Sequence, residues 1–106
     1  TPKLDNYLIS RGEKAELQSV QLANQHRQKG ASVEVDLSGS AFGKQFKRAD
    51  RSGAVIGLIL GDAEAEENKV QLKWLASGEQ SEMQQSDLLE QSETLLAKIE
   101  HVRQSV

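Results

Sequence analysis

The chain has 106 residues, of which 37% are hydrophobic and 27% charged, with a formal net charge of −3; this is one-domain length with the composition of a folded globular protein. It contains no cysteine, which excludes a disulfide scaffold, a zinc–thiolate centre and thiol catalysis. No apolar run approaches the roughly 20 residues that span a bilayer, and no signal-peptide pattern is present, so a cytoplasmic setting without membrane contact is the expectation.

The acidic balance argues against a general polyanion binder, yet the charges are not evenly mixed. Residues 41–51 hold Lys44, Lys47, Arg48 and Arg51 against the single acid Asp50, whereas residues 62–67 hold Asp62, Glu64, Glu66 and Glu67 with no base. The start at Thr1-Pro2, without methionine, reads as a piece of a longer protein. Residues 1–5 read as a linker, 6–103 as one domain and 104–106 as a tail.

In chain order, Tyr7-Leu8-Ile9 is the first strand. Ser10 with Glu13 three residues on has the spacing of a capping box at a helix start. From Glu13 to Lys29, Ala15, Ser19, Leu22, Ala23 and His26 fall on one helical face, narrow enough to sit close on a sheet. Gly30 supplies the end of that helix. Val33-Glu34-Val35-Asp36-Leu37 alternates as a half-exposed second strand near an edge.

Over 41–52 the spacing predicts a two-sided helix. Phe42, Phe46 and Ala49 lie opposite Lys44, Lys47, Arg48 and Arg51, so aromatic rings face in and cations face out. Gly53 ends it. The unbroken apolar run Ala54–Leu60 is the mark of a central strand covered on both faces. The acidic stretch to Asn68 is a loop or short helical turn, and a fourth strand follows at Val70–Trp74. A turn at Ala76-Ser77-Gly78 leads to a fifth strand over Glu79–Gln84. A final helix, capped by Ser86 or Asp87, carries the stripe Leu88, Leu95, Leu96, Ile99 and Val102 and runs longer than the domain requires. This order gives an α/β sandwich: right-handed crossovers make the first three strands parallel, and the short fourth-to-fifth connection makes the sheet mixed.

Catalytic chemistry finds little support. The two histidines, His26 and His101, lie on predicted helices, with no cysteine in the chain and no recognisable serine elbow; His26 reads as a partly buried, hydrogen-bonded histidine and His101 as a complement to a helix dipole. No His/Asp/Glu set has metal-ligand spacing. Ser10-Arg11-Gly12-Glu13 has one glycine and a carboxylate where a phosphate loop needs several glycines. The ordinary reading of a charged stripe is a solvated helix face. Two features favour binding here: the four cations share one sign with only Asp50 to offset them, and they precede the central strand of an α/β domain. Gln45, Gln71, Lys73 and Gln80 are polar groups that could read base edges, and Trp74 could stack on a base or pack in the core.

The run Gly43-Lys44-Gln45-Phe46-Lys47-Arg48-Ala49-Asp50-Arg51-Ser52-Gly53-Ala54 resembles the core motif of the C-terminal anticodon-binding domain of histidyl-tRNA synthetases. Leu22-Ala23 with Arg27 and Gly30, Leu58–Gly61, Val70–Lys73 and Ser77–Gln80 agree in order and spacing, so the resemblance spans residues 6–100. It implies a three-layer α/β sandwich on a five-stranded mixed sheet of order 2-1-3-4-5, with strand four antiparallel. It implies docking of the anticodon loop of histidine tRNA, with Lys44, Lys47 and Arg48 positioning phosphates and Gln45, Glu64 and Lys73 reading bases. No cofactor is expected in this piece; ATP and magnesium belong to a catalytic domain elsewhere in a homodimeric parent. Trp74, His26 and Gly43 depart from the family pattern, which bears on base reading more than on fold. A second reading is the matching domain of the synthetase-like subunit that regulates ATP phosphoribosyltransferase, which need not bind tRNA. A third, a flavodoxin-like domain, lacks its phosphate loop.

Overall fold

The two β–α–β crossovers and the closing meander build one sheet in the computed structural model, which describes residues 3–105. The elements are β1 (Asn6–Ser10), α1 (Glu13–Gln28), β2 (Val33–Val35), α2 (Phe42–Ser52), β3 (Ile56–Leu60), α3 (Asp62–Glu67), β4 (Lys69–Trp74), β5 (Gln80–Gln84), α4 (Gln85–Glu90) and α5 (Ser92–Gln104). The strand order is β2-β1-β3-β4-β5, with β1 parallel to β2 and β3, and β4 antiparallel to β3 and β5. This is the layout implied by the resemblance. Thr1, Pro2 and Val106, the ends of the expected linker and tail, lie outside the described residues.

Side-chain alternation divides the molecule into three layers. Leu8 of β1, Ile56, Leu58 and Leu60 of β3, and Val70 and Leu72 of β4 face one way. They pack with Ala15, Leu22 and Ala23 of α1, Leu88 of α4, and Leu95 and Ile99 of α5. Tyr7 and Ile9 of β1 face the other way and meet Ala49, Phe42 and Phe46 of α2. The first cluster is the larger, and each fully buried Leu or Ile in it contributes about 1.5–3 kcal/mol. The second layer is one helix thick. That asymmetry leaves part of a sheet face uncovered.

Several local expectations change for identifiable reasons. Ser10 does not cap α1: it is the last residue of β1, and Gly12 stands at the cap with φ 108. Only glycine suits that position, because the backbone is left-handed there and a Cβ would also run into the Asp62 carboxylate. The second strand stops at Val35 instead of continuing to Leu37, and its alternation breaks at that point. Asp36 is buried and Leu37 is 71% exposed, the reverse of the expected phase. The acidic stretch takes the helical of its two expected forms, as the short helix α3, in which the Glu64 carboxylate accepts a hydrogen bond from the Gly61 N–H at 2.8 Å.

The single final helix is two helices meeting at Gln91. Ser92 Oγ approaches the Leu88 carbonyl four residues back at 3.4 Å, the kind of side-chain intrusion that bends a helix. The length of α5 has a structural reason as well. In its last turn Arg103 donates to the Asp5 carboxylate and to the Leu4 carbonyl, both at 2.8 Å, and so ties the chain's end to the segment entering β1.

Under α1, His26 is 1% exposed. Its Nδ1 lies 3.3 Å from Ser92 Oγ, and Nε2 has no partner among the described residues. Burial pushes the imidazole below its ordinary value, with Asp5 pulling weakly the other way. The folded protein therefore refuses a proton that the unfolded chain accepts near its unperturbed pKa of about 6.5, so stability is fully present above that value and falls as pH drops through it. Asp36, discussed below, loses its contribution only below the carboxylate range of about 4, so the two acid effects are separate. Thermal melts should show Tm declining from pH 7.5 to 5.5 in the parent chain and nearly flat across that window in His26→Leu; an equal decline in both would remove His26 as the cause.

Candidate nucleic-acid interface

The position of α2 follows from a shortage of strand. Because β2 ends opposite Leu8, the last residue of β1 has no strand partner on that side. Gln45 supplies the missing pair. Its Oε1 accepts from the Ser10 N–H at 3.1 Å, and its Nε2 donates to the Ser10 carbonyl at 2.8 Å and to the Ser40 carbonyl at 2.6 Å. The amide thus completes β1 as a strand residue would, and Gln45 is fully buried. It faces inward, with its oxygen and nitrogen both engaged by backbone.

One turn on, a second anchor forms around Asp36, whose side chain is 2% exposed. Its Oδ2 accepts from Tyr7 OH and from Arg48 Nε, each at 2.8 Å. Its Oδ1 accepts from the Ser38 N–H at 3.0 Å and from the Ser38 hydroxyl, and Arg48 also donates to Ser38 Oγ. Burial alone would raise the Asp36 pKa; the hydrogen bonds from Arg48, Ser38 and Tyr7 outweigh it and hold the carboxyl well below the usual range. Burial, and then the Asp36 carboxylate it bonds, push the Tyr7 phenol up to about 12. Sequence reasoning missed Asp36 and Tyr7. A carboxylate at the end of a short edge strand, with an arginine twelve residues on, was the only available signal.

The cation stripe therefore divides. Lys44, Lys47 and Arg51 are exposed, and none lies within 4 Å of a carboxylate among the described residues, whereas Arg48 is paired. Lys44 occupies the first turn of α2, which holds no acid, and there the helix dipole disfavours a cation. Phe42 and Phe46 are half-buried, their ring centroids 6.4 Å apart. The structure brings Lys73 to this helix: its Nζ stands 5.0 Å from the centroid of Phe46, a cation–π contact across from β4. Glu64 is half-buried on α3, and the Gly61 it bonds adjoins the Phe42 ring.

Register sets Lys69, Gln71 and Lys73 of β4 opposite Gln84, Glu82 and Gln80 of β5, and alternation directs all six to the side of the sheet that carries α2. Gln80 Nε2 donates to Gln71 Oε1 at 2.8 Å, and Lys69 pairs with Glu67 at 2.9 Å and Glu82 at 3.5 Å. The result is a polar platform beside the cationic helix. Trp74 is not part of it: it packs against the main core on the opposite sheet face. Among the described residues no group of three His, Cys, Asp or Glu side chains could hold a metal ion.

A mixed α/β sheet with one basic helix over half of a face and a polar platform over the rest is a protein class that comparison makes specific. The family model described as "Anticodon binding domain" matches residues 6–95. Histidine–tRNA ligases of a Cyanothece strain and of Microcystis aeruginosa are 63% identical over 97 residues and 64% identical over 95 residues, which is 92% and 90% of this chain. The crystal structure of histidyl-tRNA synthetase from a Nostoc strain superposes with a TM-score of 0.80 at 30% identity, over 90% of this chain and 23% of that one. The RNA-binding domain of threonyl-tRNA synthetase from Cryptosporidium parvum superposes at 0.79 with 18% identity, over 87% of this chain and 23% of that one, a likeness of fold. The chain belongs to the anticodon-binding domain family. It spans 23% of the Cyanothece ligase and 22% of the Microcystis one.

Gln45 and Lys47 of α2 should respond very differently to truncation. Gln45→Ala strands two backbone groups of Ser10 in the interior and should cost about 3 kcal/mol in urea unfolding. Lys47→Ala, on the exposed side, should stay within about 0.5 kcal/mol. Equal effects would contradict the inward placement of Gln45.

Proposed function

We propose that this chain is the anticodon-binding domain of a histidine–tRNA ligase. In this reading it docks the anticodon loop of histidine tRNA in the cytoplasm, while a separate domain of the longer protein, with ATP and magnesium, charges the acceptor end. The observation that carries the reading is the outer side of α2, where Lys44, Lys47 and Arg51 stand unpaired among the described residues within an otherwise acidic chain.

The chemistry suits a single-stranded loop. Lys44 and Lys47 meet phosphates; like charges kept together at some cost to the helix gain counterion release when an RNA backbone covers them. Lys73, held upright by Phe46, and Glu64, with one carboxylate oxygen occupied by Gly61, offer a donor and an acceptor to base edges that a splayed loop exposes. The names of the relatives support histidine tRNA as the substrate. Gln45 and Arg48 act by holding α2 in place: the Gln45 amide is taken up by backbone, and the Nε and one terminal nitrogen of Arg48 by Asp36 and Ser38.

Titrating labelled histidine tRNA at two salt concentrations, with native and altered anticodons, tests this. Binding should weaken with salt and with anticodon changes. The Lys44→Ala, Lys47→Ala double variant should bind more weakly and lose roughly 1.4 from the slope of log K against log salt, about 0.7 per phosphate contact on a single strand. Anticodon-independent binding would leave only a nonspecific basic patch, and an unchanged double variant would remove α2 from the interface.

A further inference from the structure

We infer that Asp36 is a positioning residue for RNA binding: by pairing with Arg48 from within the fold it withholds that cation from phosphates and fixes the angle at which α2 presents Lys44 and Lys47. The inference rests on the reading of α2 as an RNA-facing helix and goes beyond it by dividing the basic stripe into presenting and anchoring charges.

Three observations converge on this carboxylate. It is buried, so its charge must be compensated within the fold. Its two oxygens receive bonds from β1 through Tyr7, from the loop before α2 through Ser38, and from α2 through Arg48. The segment between Asp36 and the helix start is short, and Ser38 Oγ also receives Arg48 and donates to Asp36, closing a ring of contacts around the loop. A helix gripped at Gln45 and again at Arg48, one turn apart, cannot rotate about its axis without breaking one grip. Arg48 is 41% exposed at the side chain, so the guanidinium sits at the surface and would be available to RNA if its partner were neutral.

The discriminating variant is Asp36→Asn, a near-isostere that removes the negative charge holding Arg48 and so loosens its grip. Measured by titration of native and anticodon-altered histidine tRNA, it should steepen the salt slope by about 0.7, as one further phosphate contact forms. It should also narrow the ratio of affinities for native and altered anticodons, because α2 is less firmly aimed. Tyr7→Phe keeps the charge pair and should leave the slope as it was. A purely structural role for Asp36 would lower affinity in both variants with no change in slope.

Should Asp36→Asn fail to fold, Arg48→Gln decides the matter. It should bind histidine tRNA with an unchanged slope, since Arg48 makes no phosphate contact; a slope shallower by about 0.7 would show that it does and would overturn the inference. Anticodon-dependent binding by the parent chain together with an unaltered slope in Asp36→Asn overturns this proposal and leaves the RNA-binding reading intact. Absence of tRNA binding by the parent chain overturns both.

Discussion

The pairing of the Gln45 amide with both backbone groups of Ser10 is the contact on which the geometry of this domain turns. β1 is five residues long and β2 only three, so the longer strand runs past its edge neighbour. Buried backbone groups left without partners are costly. A helix that carries a primary amide at the right place satisfies them and is thereby fixed to the sheet at that height. The same contact reaches Ser40, so the loop leading into α2 is held by the residue it delivers. Everything exposed on the helix inherits its direction from this buried residue.

Charge is arranged in the same spirit. The chain is acidic overall, and its few unpaired cations on α2 stand out against carboxylates gathered on α3 and elsewhere. Four basic side chains on one face could have repelled one another into an ill-defined surface. Removing Arg48 into a network with Asp36 leaves a smaller set with a defined spacing. Lys73 joins it from β4, its ammonium placed by the ring of Phe46. Because α2 alone among the described residues covers this face of the sheet, the polar residues of β4 and β5 remain beside that set. A loop of RNA would find phosphate partners on the helix and hydrogen-bonding groups on the strands.

Periodic signals were the readable part. The crossover helices, the parallel first three strands and the two-sided character of 41–52 were legible in hydrophobic spacing, because burial of a face leaves a regular trace; the strand order came only with the family resemblance carried by the Gly43–Ala54 motif. What depended on single polar atoms was not. Gln45 reads as an outward polar residue beside lysines, since nothing in the sequence says that β2 stops short. Asp36 and Leu37 exchange sides for the same reason: strict alternation assumes that the strand continues. Ser10 looks like a cap because its spacing to Glu13 is right, but strand pairing claimed it first. Arg103 and Asp5 lie 98 residues apart, and no local pattern links them. The site residues divide accordingly: Lys44 and Lys47 are exposed as anticipated, Lys73 is half-buried beside Phe46, Gln45 is fully buried, and Arg48 is half-buried and paired with Asp36.

The central claim is that RNA meets the α2 side of the sheet. Amine-selective labelling of lysines with and without histidine tRNA, read by mass spectrometry, addresses it directly, since lysines mark both faces. The account predicts protection at Lys44, Lys47 and Lys73, with Lys14 on α1, Lys29 at its C-terminal cap and Lys98 on α5 labelled as before. Protection confined to Lys14, Lys29 and Lys98 would contradict it.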